Sequence, residues 1–307
     1  PSMEAARTLD CHSLQKGYLQ TQSDAYSAYT QSWLGGATGK GTPTYVELPR
    51  HRWPKSWEGK YDKPVVPLVL SLYGHPDSGG YWEQHCEEKL AKCGWEKIEN
   101  WQSVFFHPVY QAMLVVYVDD FKMSATKEDT PILWEHIREF IILDDPAPPD
   151  RFLGCYLDEF ECKMSDLAPI LEHHPDLHPR DSDEPIPLVL DNPGAKVRGY
   201  MYGMEQYLSN SVDKYCSLAK LNRAGLKKVQ TPFLDEGQDP QGCIESSSGS
   251  ETAGGQLQKC ALSIIMTVMY CARLARSDLL RPISNLATFL HKWTPLEDRK
   301  LHRLMSY

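Results

Sequence analysis

The residues best equipped for chemistry are Asp119 and Asp120, which close the segment Tyr117-Val118-Asp119-Asp120 at the end of an apolar run over 112–118. Two adjacent carboxylates after a buried strand place negative charge where the chain cannot easily solvate it. Such burial is costly unless a cation neutralises it. Hard oxygen donors suit Mg²⁺, which takes one or two carboxylates and completes its shell with substrate phosphates. The plainer reading is a turn in which both aspartates face water. A second candidate cluster, His173, His174 and His178 with Cys162, has no recognisable metal-ligand spacing and reads as polar surface. The nine cysteines form no CxxC pair, so neither a zinc ribbon nor a redox motif is indicated, and reduced thiols are expected.

The elements that must position Asp119 and Asp120 can be read from periodicity. SVFFHPV (103–109) and AMLVVYV (112–118) are strand-like runs with only Tyr110 and Gln111 between them, and FKMSA follows the two aspartates. This predicts hairpins with the carboxylates at a strand-to-strand turn. Trp82, Cys86, Leu90 and Cys93 recur at helical spacing, with Gly94 placed to end the helix. Thr130-Pro131 opens another helix, since proline in the first turn forfeits no hydrogen bond. Met3, Ala6, Leu9, Leu14 and Leu19 suggest a helix within 3–20; TYVELP (44–49) and RFLGCYL (151–157) each read as a strand. Residues 163–196, rich in Pro, Asp and His, read as a surface insertion, and 35–42 and 235–256 as flexible loops. Helices are predicted over 261–275, from Pro282, and after Thr294-Pro295-Leu296-Glu297, which has the form of a capping box.

Composition narrows the class. With 307 residues, 41% hydrophobic and 24% charged, the chain is globular rather than collagen-like or wholly disordered. Its longest apolar stretches fall well short of the roughly 18 residues of a membrane span, and no secretory signal opens it, so an intracellular protein with no membrane partner is expected. Pro1 at the start suggests a piece of a longer chain. The net charge of −9 argues against a generic nucleic-acid binder, but the charge is unevenly spread. Thirteen acidic residues face three basic ones between 144 and 191, whereas 214–231 holds five basic residues and no acid. The tail from 259 carries eight basic residues against three acidic ones, so a polyanion would be met by the basic second half.

Several segments follow one another as in a known enzyme family. QSDAYSAYTQSWL (22–34) resembles its first catalytic segment, in which an aspartate is followed four and five places on by a small residue and an aromatic, here Asp24, Ala28 and Tyr29. TYVELP, LYGHPDSGGYW (72–82), VVYVDD (115–120), RFLGC (151–155), GYMYGMEQYLSNSVDKY (199–215), VQTPF (229–233) and VMYCARLARSDLLRPISNLATFL (268–290) resemble its later segments in order. The chain thus resembles, over about residues 3–307, the reverse transcriptase of copia-type retrotransposons.

That resemblance implies an α+β fold: an antiparallel palm sheet with helices behind, partial fingers and a mainly helical thumb. The implied division is palm with partial fingers over 1–160, an acidic insertion over 161–198, and a helical thumb or connection over 199–307. It implies an RNA-directed DNA polymerase, with Asp24, Asp119 and Asp120 as catalytic residues and as ligands of two Mg²⁺ ions, or Mn²⁺ in their place. Nucleotidyl transfer to a primer 3′-hydroxyl uses two such ions to clamp the attacking and leaving oxygens. Tyr29 is then the residue under the incoming sugar, and Tyr117 lies near the primer terminus. The reading from residues alone makes Tyr29 a core aromatic. Phe152, Leu153 and Gly154 would contribute to the primer grip, and a basic helix carrying Lys214, Lys220, Arg223, Lys227 and Lys228 would follow template–primer phosphates, unless it is a solvated helix face. The implied partners are an RNA or DNA template with primer, deoxynucleoside triphosphates, and the RNase H and integrase regions of the same polyprotein. The implied setting is the cytoplasm, a virus-like particle or the nucleus.

The pattern also departs from the family. Pro76 and Asp77 stand where it has Lys-Gln, and Gly80-Tyr81 where it has Pro-Arg. The basic fingers strands that precede its first catalytic aspartate have no counterpart before Asp24. These departures support the alternative, a reverse-transcriptase-like remnant that binds nucleic acid or protein without catalysis.

Overall fold

The computed structural model describes residues 2–36, 41–171, 194–233 and 254–307. The described elements run α1 (Met3–Ser13), β1 (Tyr18–Asp24), β2 (Tyr45–Glu47), β3 (Val65–Pro67), α2 (Ser78–Lys92), β4 (Glu96–Lys97), β5 (Val104–His107), β6 (Ala112–Tyr117), β7 (Asp120–Thr126), α3 (Asp129–Arg138), β8 (Arg151–Phe152), β9 (Cys155–Lys163), α4 (Met164–Leu171), β10 (Lys196–Gly203), α5 (Glu205–Ala219), α6 (Ala261–Leu274), α7 (Leu280–Thr288) and α8 (Pro295–Ser306). The class is α+β, as the sequence suggests. The chain divides into two compact units, Pro1–Asp150 with Glu161–Gly199, and Arg151–Phe160 with Tyr200–Tyr307.

The first unit is built on an antiparallel sheet in the order β1-β7-β6-β5-β4. Strand β7 lies inside it, so its residues from Phe121 to Ala125 are all buried and FKMSA shows no polar alternation. Register assigns the faces. Gln20, Gln22 and Asp24 stand opposite Ser124, Lys122 and Asp120, and share one face with them. Helix α1 covers part of that face: Lys122 Nζ lies 2.5 Å from Asp10 Oδ1, and His12 Nδ1 lies 2.8 Å from Ser124 Oγ. The other face carries Leu114, Phe121, Met123 and Ala125, packed with Trp82, Cys86 and Leu90 of α2 and Leu133 and Ile137 of α3. Gly94, at φ +85, ends α2 where predicted.

The second unit gathers α5 to α8 around Tyr215, Ile264, Ile265, Val268, Ile283, Leu286, Trp293 and Leu301. Its last helix begins with the predicted capping box: Thr294 Oγ1 accepts from Leu296 N at 3.2 Å, and Glu297 Oε2 accepts from Thr294 N at 3.0 Å. Among the described residues no helix is long and apolar enough to cross a membrane, and all eight described cysteines are free.

Four expectations are revised. RFLGCYL is a hairpin rather than one strand, because Leu153 and Gly154 take φ +52 and +76 and turn the chain between β8 and β9. The segment 199–215 begins as strand β10 and becomes helical only at Glu205. The basic helix over 214–228 stops at Ala219, where Lys220 adopts φ +55. Within 163–196, Met164–Leu171 is helical, and 172–193, with His173, His174 and His178, lies outside the described residues. So do residues 37–40 of the first expected loop and most of the second; Gly255 and Gln256, at its end, bond to Trp293 O and Asp298 Oδ2.

Candidate active site

Three aspartates meet at one end of the first sheet. Strand β1 ends at Asp24, which pairs directly with Asp120, the first residue of β7. Asp119 occupies the two-residue turn that joins β6 to β7, where Tyr117 pairs with Asp120. The junction is fixed from both sides by backbone: Ala25 N donates to Asp119 O at 2.7 Å, and Asp144 N donates to Asp24 O at 2.9 Å. Ser23 Oγ adds a bond to Asp144 O at 2.8 Å.

The turn is strained. Val118 has φ +57, a left-handed conformation that a β-branched residue adopts at a cost of order 1–3 kcal/mol. Its carbonyl accepts a hydrogen bond from Trp82 Nε1 at 2.5 Å, so a buried α2 aromatic holds the turn from beneath.

The electrostatics are unbalanced. Burial raises the Asp24 pKa above the ordinary carboxylate range; Asp119 and Asp144 push it the same way, and a hydrogen bond with the Asp120 side chain opposes them. Two carboxyls bonded to each other share a proton or need a cation between them. A hard oxygen donor set with excess negative charge fits Mg²⁺, which needs only one or two protein carboxylates when phosphates complete its shell. Among the described residues no three His, Cys, Asp or Glu side chains are already grouped as a metal cage.

Tyr29 and Tyr117 line one cavity of about 260 Å³, together with Gly79, Trp82, Glu83, Ser103 and Val116 among others. Tyr29 sits in a 3₁₀ turn over Ala28–Gln31, entered through Ser27 at φ +48, and is half-buried against the core. Its ring lies 4.4 Å from that of Tyr73. Gly79, at the start of α2, lies beside the Tyr29 hydroxyl, and a Cβ there would meet it at an ordinary contact distance of 3.8 Å. Tyr73 is a residue that sequence reasoning misses, although it lies in LYGHPDSGGYW. Burial raises its pKa, with further contributions from Asp119 and Tyr29, against hydrogen bonds from the Tyr29 and Ala28 backbone. Its ring contact with Tyr29 places Tyr73 next to one of the residues that line the cavity.

The remaining candidates all lie in the second unit. Phe152 is buried in the β8–β9 hairpin, and Leu153 O accepts from the Tyr270 hydroxyl. Lys214 is spent on α6, with Nζ 3.1 Å from Ser263 O and 3.2 Å from Thr267 Oγ1. Arg223 pairs with Asp213 at 2.7 Å. Lys220 and Lys228 are exposed, and Lys227 lines a cavity of about 490 Å³ with Arg299, His302 and Arg303. The basic residues therefore form several small settings rather than one continuous helical stripe.

Comparison with protein-family models, with curated protein sequences and with solved structures finds no match to this chain.

Proposed function

We propose that this chain is an RNA-directed DNA polymerase module of the copia type, with Asp24, Asp119 and Asp120 as its catalytic carboxylates. One observation carries the reading: Asp24, far from the other two in sequence, stands opposite Asp120 in the β1–β7 register. The first sheet then plays the part of the palm and the helices of the second unit that of the thumb. Asp24, Asp119 and Asp120 would hold two divalent ions, Mg²⁺ or Mn²⁺, and the ions would supply neutralisation of the phosphate charge during transfer. Tyr29, propped by Tyr73 beside the shared cavity, would limit the space under the sugar, with Tyr117 at the primer end of the same cavity. Template–primer and deoxynucleoside triphosphates are the corresponding ligands, and RNase H and integrase regions of a polyprotein the corresponding neighbours, in a cytoplasmic, particle-bound or nuclear setting.

The alternative, a remnant that binds without catalysis, draws on the lack of a ready three-ligand metal group among the described residues and on Asp77, an acid where the family places glutamine. Primer extension on an RNA template with Mg²⁺ or Mn²⁺ separates the two. The expected result is extension by the chain and at least about a hundredfold loss in Asp119→Asn/Asp120→Asn, in keeping with removal of charge stabilisation at a transition state. Template–primer binding without extension would assign the remnant instead.

A further inference from the structure

The connection between β2 and β3 is long for two three-residue strands, running over 48–64. Its sequence, RHRWPKSWEGKYDK over 50–63, interleaves cations with rings: Arg50, Arg52, Lys55, Lys60 and Lys63 alternate with Trp53, Trp57 and Tyr61. Glu58 and Asp62 are its acids, so five Lys and Arg outweigh two carboxylates in a chain whose net charge is −9. Proline sets its course. Pro49 and Pro54 each precede a 3₁₀ turn, Arg50–Arg52 and Lys55–Trp57. Strands β2 and β3 form a two-stranded sheet of their own, in the register Tyr45↔Pro67, Val46↔Val66 and Glu47↔Val65.

All five cations are exposed, and among the described residues none forms an ion pair with a carboxylate. The rings are in graded positions. Trp53 is anchored, its Nε1 donating to Leu48 O at 2.7 Å while the Arg50 guanidinium stacks 5.6 Å from its centroid. Trp57 is half-buried and meets Tyr61 edge-on at 5.8 Å. Tyr61 itself is 57% exposed. Tyr61 thus keeps an open ring face, supported from one side by Trp57, on which a flat ring can stack.

We infer that this arm holds a single-stranded polynucleotide, its phosphates met by Arg50, Arg52, Lys55, Lys60 and Lys63 and a base stacked on Tyr61. Cations tracking a backbone, with rings between them for bases, are how proteins bind single strands without reading sequence. A duplex does not satisfy the same arm, because its bases are already stacked on each other. The inference extends the polymerase reading by naming where a strand is gripped, and rests on that reading only for the strand being template.

The test is fluorescence anisotropy with a fluorescein-labelled single-stranded DNA oligonucleotide and the full chain. Lys55→Ala/Lys60→Ala/Lys63→Ala is expected to weaken binding at least about tenfold and to make the slope of log K against log salt shallower by about 2, at roughly 0.7 for each phosphate that a lysine no longer neutralises. Tyr61→Ala is expected to weaken it roughly fivefold to a hundredfold, while Tyr61→Phe, which keeps the ring, binds like the parent. Circular dichroism reports whether these exposed changes leave the fold intact. The inference is overturned if both the triple variant and Tyr61→Ala bind like the parent, or if duplex DNA or polyglutamate displaces the strand as well as unlabelled single strand does. Primer extension by the unaltered chain is scored separately. Arm-dependent binding without extension sinks the polymerase reading and leaves the arm; extension without arm-dependent binding does the reverse.

Discussion

Asp10 and Asp24 belong to the same unit and meet opposite fates. Asp10 is buried at 3% exposure, where Lys122 Nζ and Gln20 Nε2 approach its Oδ1 at 2.5 and 2.9 Å. Asp24 is exposed at a strand end, bonded to another carboxyl and repelled by two more. Lys122 lies two residues from Asp120 along β7, on the same face, and its ammonium pairs with Asp10. A charge that serves the fold is neutralised inside the chain. The charge at the end of β1 and β7 lies among further carboxyls, and under the proposed function divalent ions would balance it.

The contrast can be broken most sharply at Lys122. Lys122→Met leaves the Asp10 carboxylate buried without its cation, at an expected cost of about 3–5 kcal/mol in urea unfolding. Asp10→Leu/Lys122→Met removes both charges and should recover most of that loss; equal losses in the single and double variants would make the pair a packing feature instead. A smaller effect of opposite sign is expected at the turn. Val118→Gly relieves the left-handed backbone and should gain about 1 kcal/mol in the same unfolding measurement, since glycine adopts that conformation without a Cβ clash.

The smallest effect sharpens the comparison on the other side. Asp24→Asn should stabilise the chain at neutral pH by no more than ~0.5 kcal/mol after solvent screening, or about 1–2 °C in Tm. The sign follows from a pKa raised on folding: the protonated carboxyl is the better tolerated form, so that benefit is complete in acid and is lost as pH rises from the ordinary carboxylate range through the raised value. Melting curves should therefore converge in acid and separate toward neutrality. An Asn variant less stable than the parent at every pH would show that Asp24 is structural like Asp10.

Much of the carboxylate end is legible in the sequence. The apolar runs flanking Asp119 and Asp120 fix a hairpin, though its turn falls on Val118 and Asp119, one residue earlier than the paired acids suggest; Asp24 follows from the order of segments, because no local pattern says that β1 pairs with β7. The Asp10–Lys122 pair is invisible for the same reason, a helix residue and a strand residue brought together only by packing. RFLGC reads as one strand because Leu153 adopts a left-handed φ that apolar residues rarely take, leaving Gly154 as the lone hint. The basic stretch reads as one helix because nothing in the type of Lys220 announces that it will stop α5. The arm escapes a search by periodicity because its rings and cations follow no helix or strand period, although their interleaving is plain in the residue order.

The two-residue turn at Val118 and Asp119 has a consequence for how the chain can vary in length. Side chains in a strand alternate faces, so one residue added to that turn without a compensating bulge would send Asp120 to the opposite side of β7 from Asp24. The 48–64 connection has no such arithmetic, since lengthening a loop adds only slowly to its closure entropy. Insertions and deletions should thus collect in the arm and be excluded from the aspartate turn.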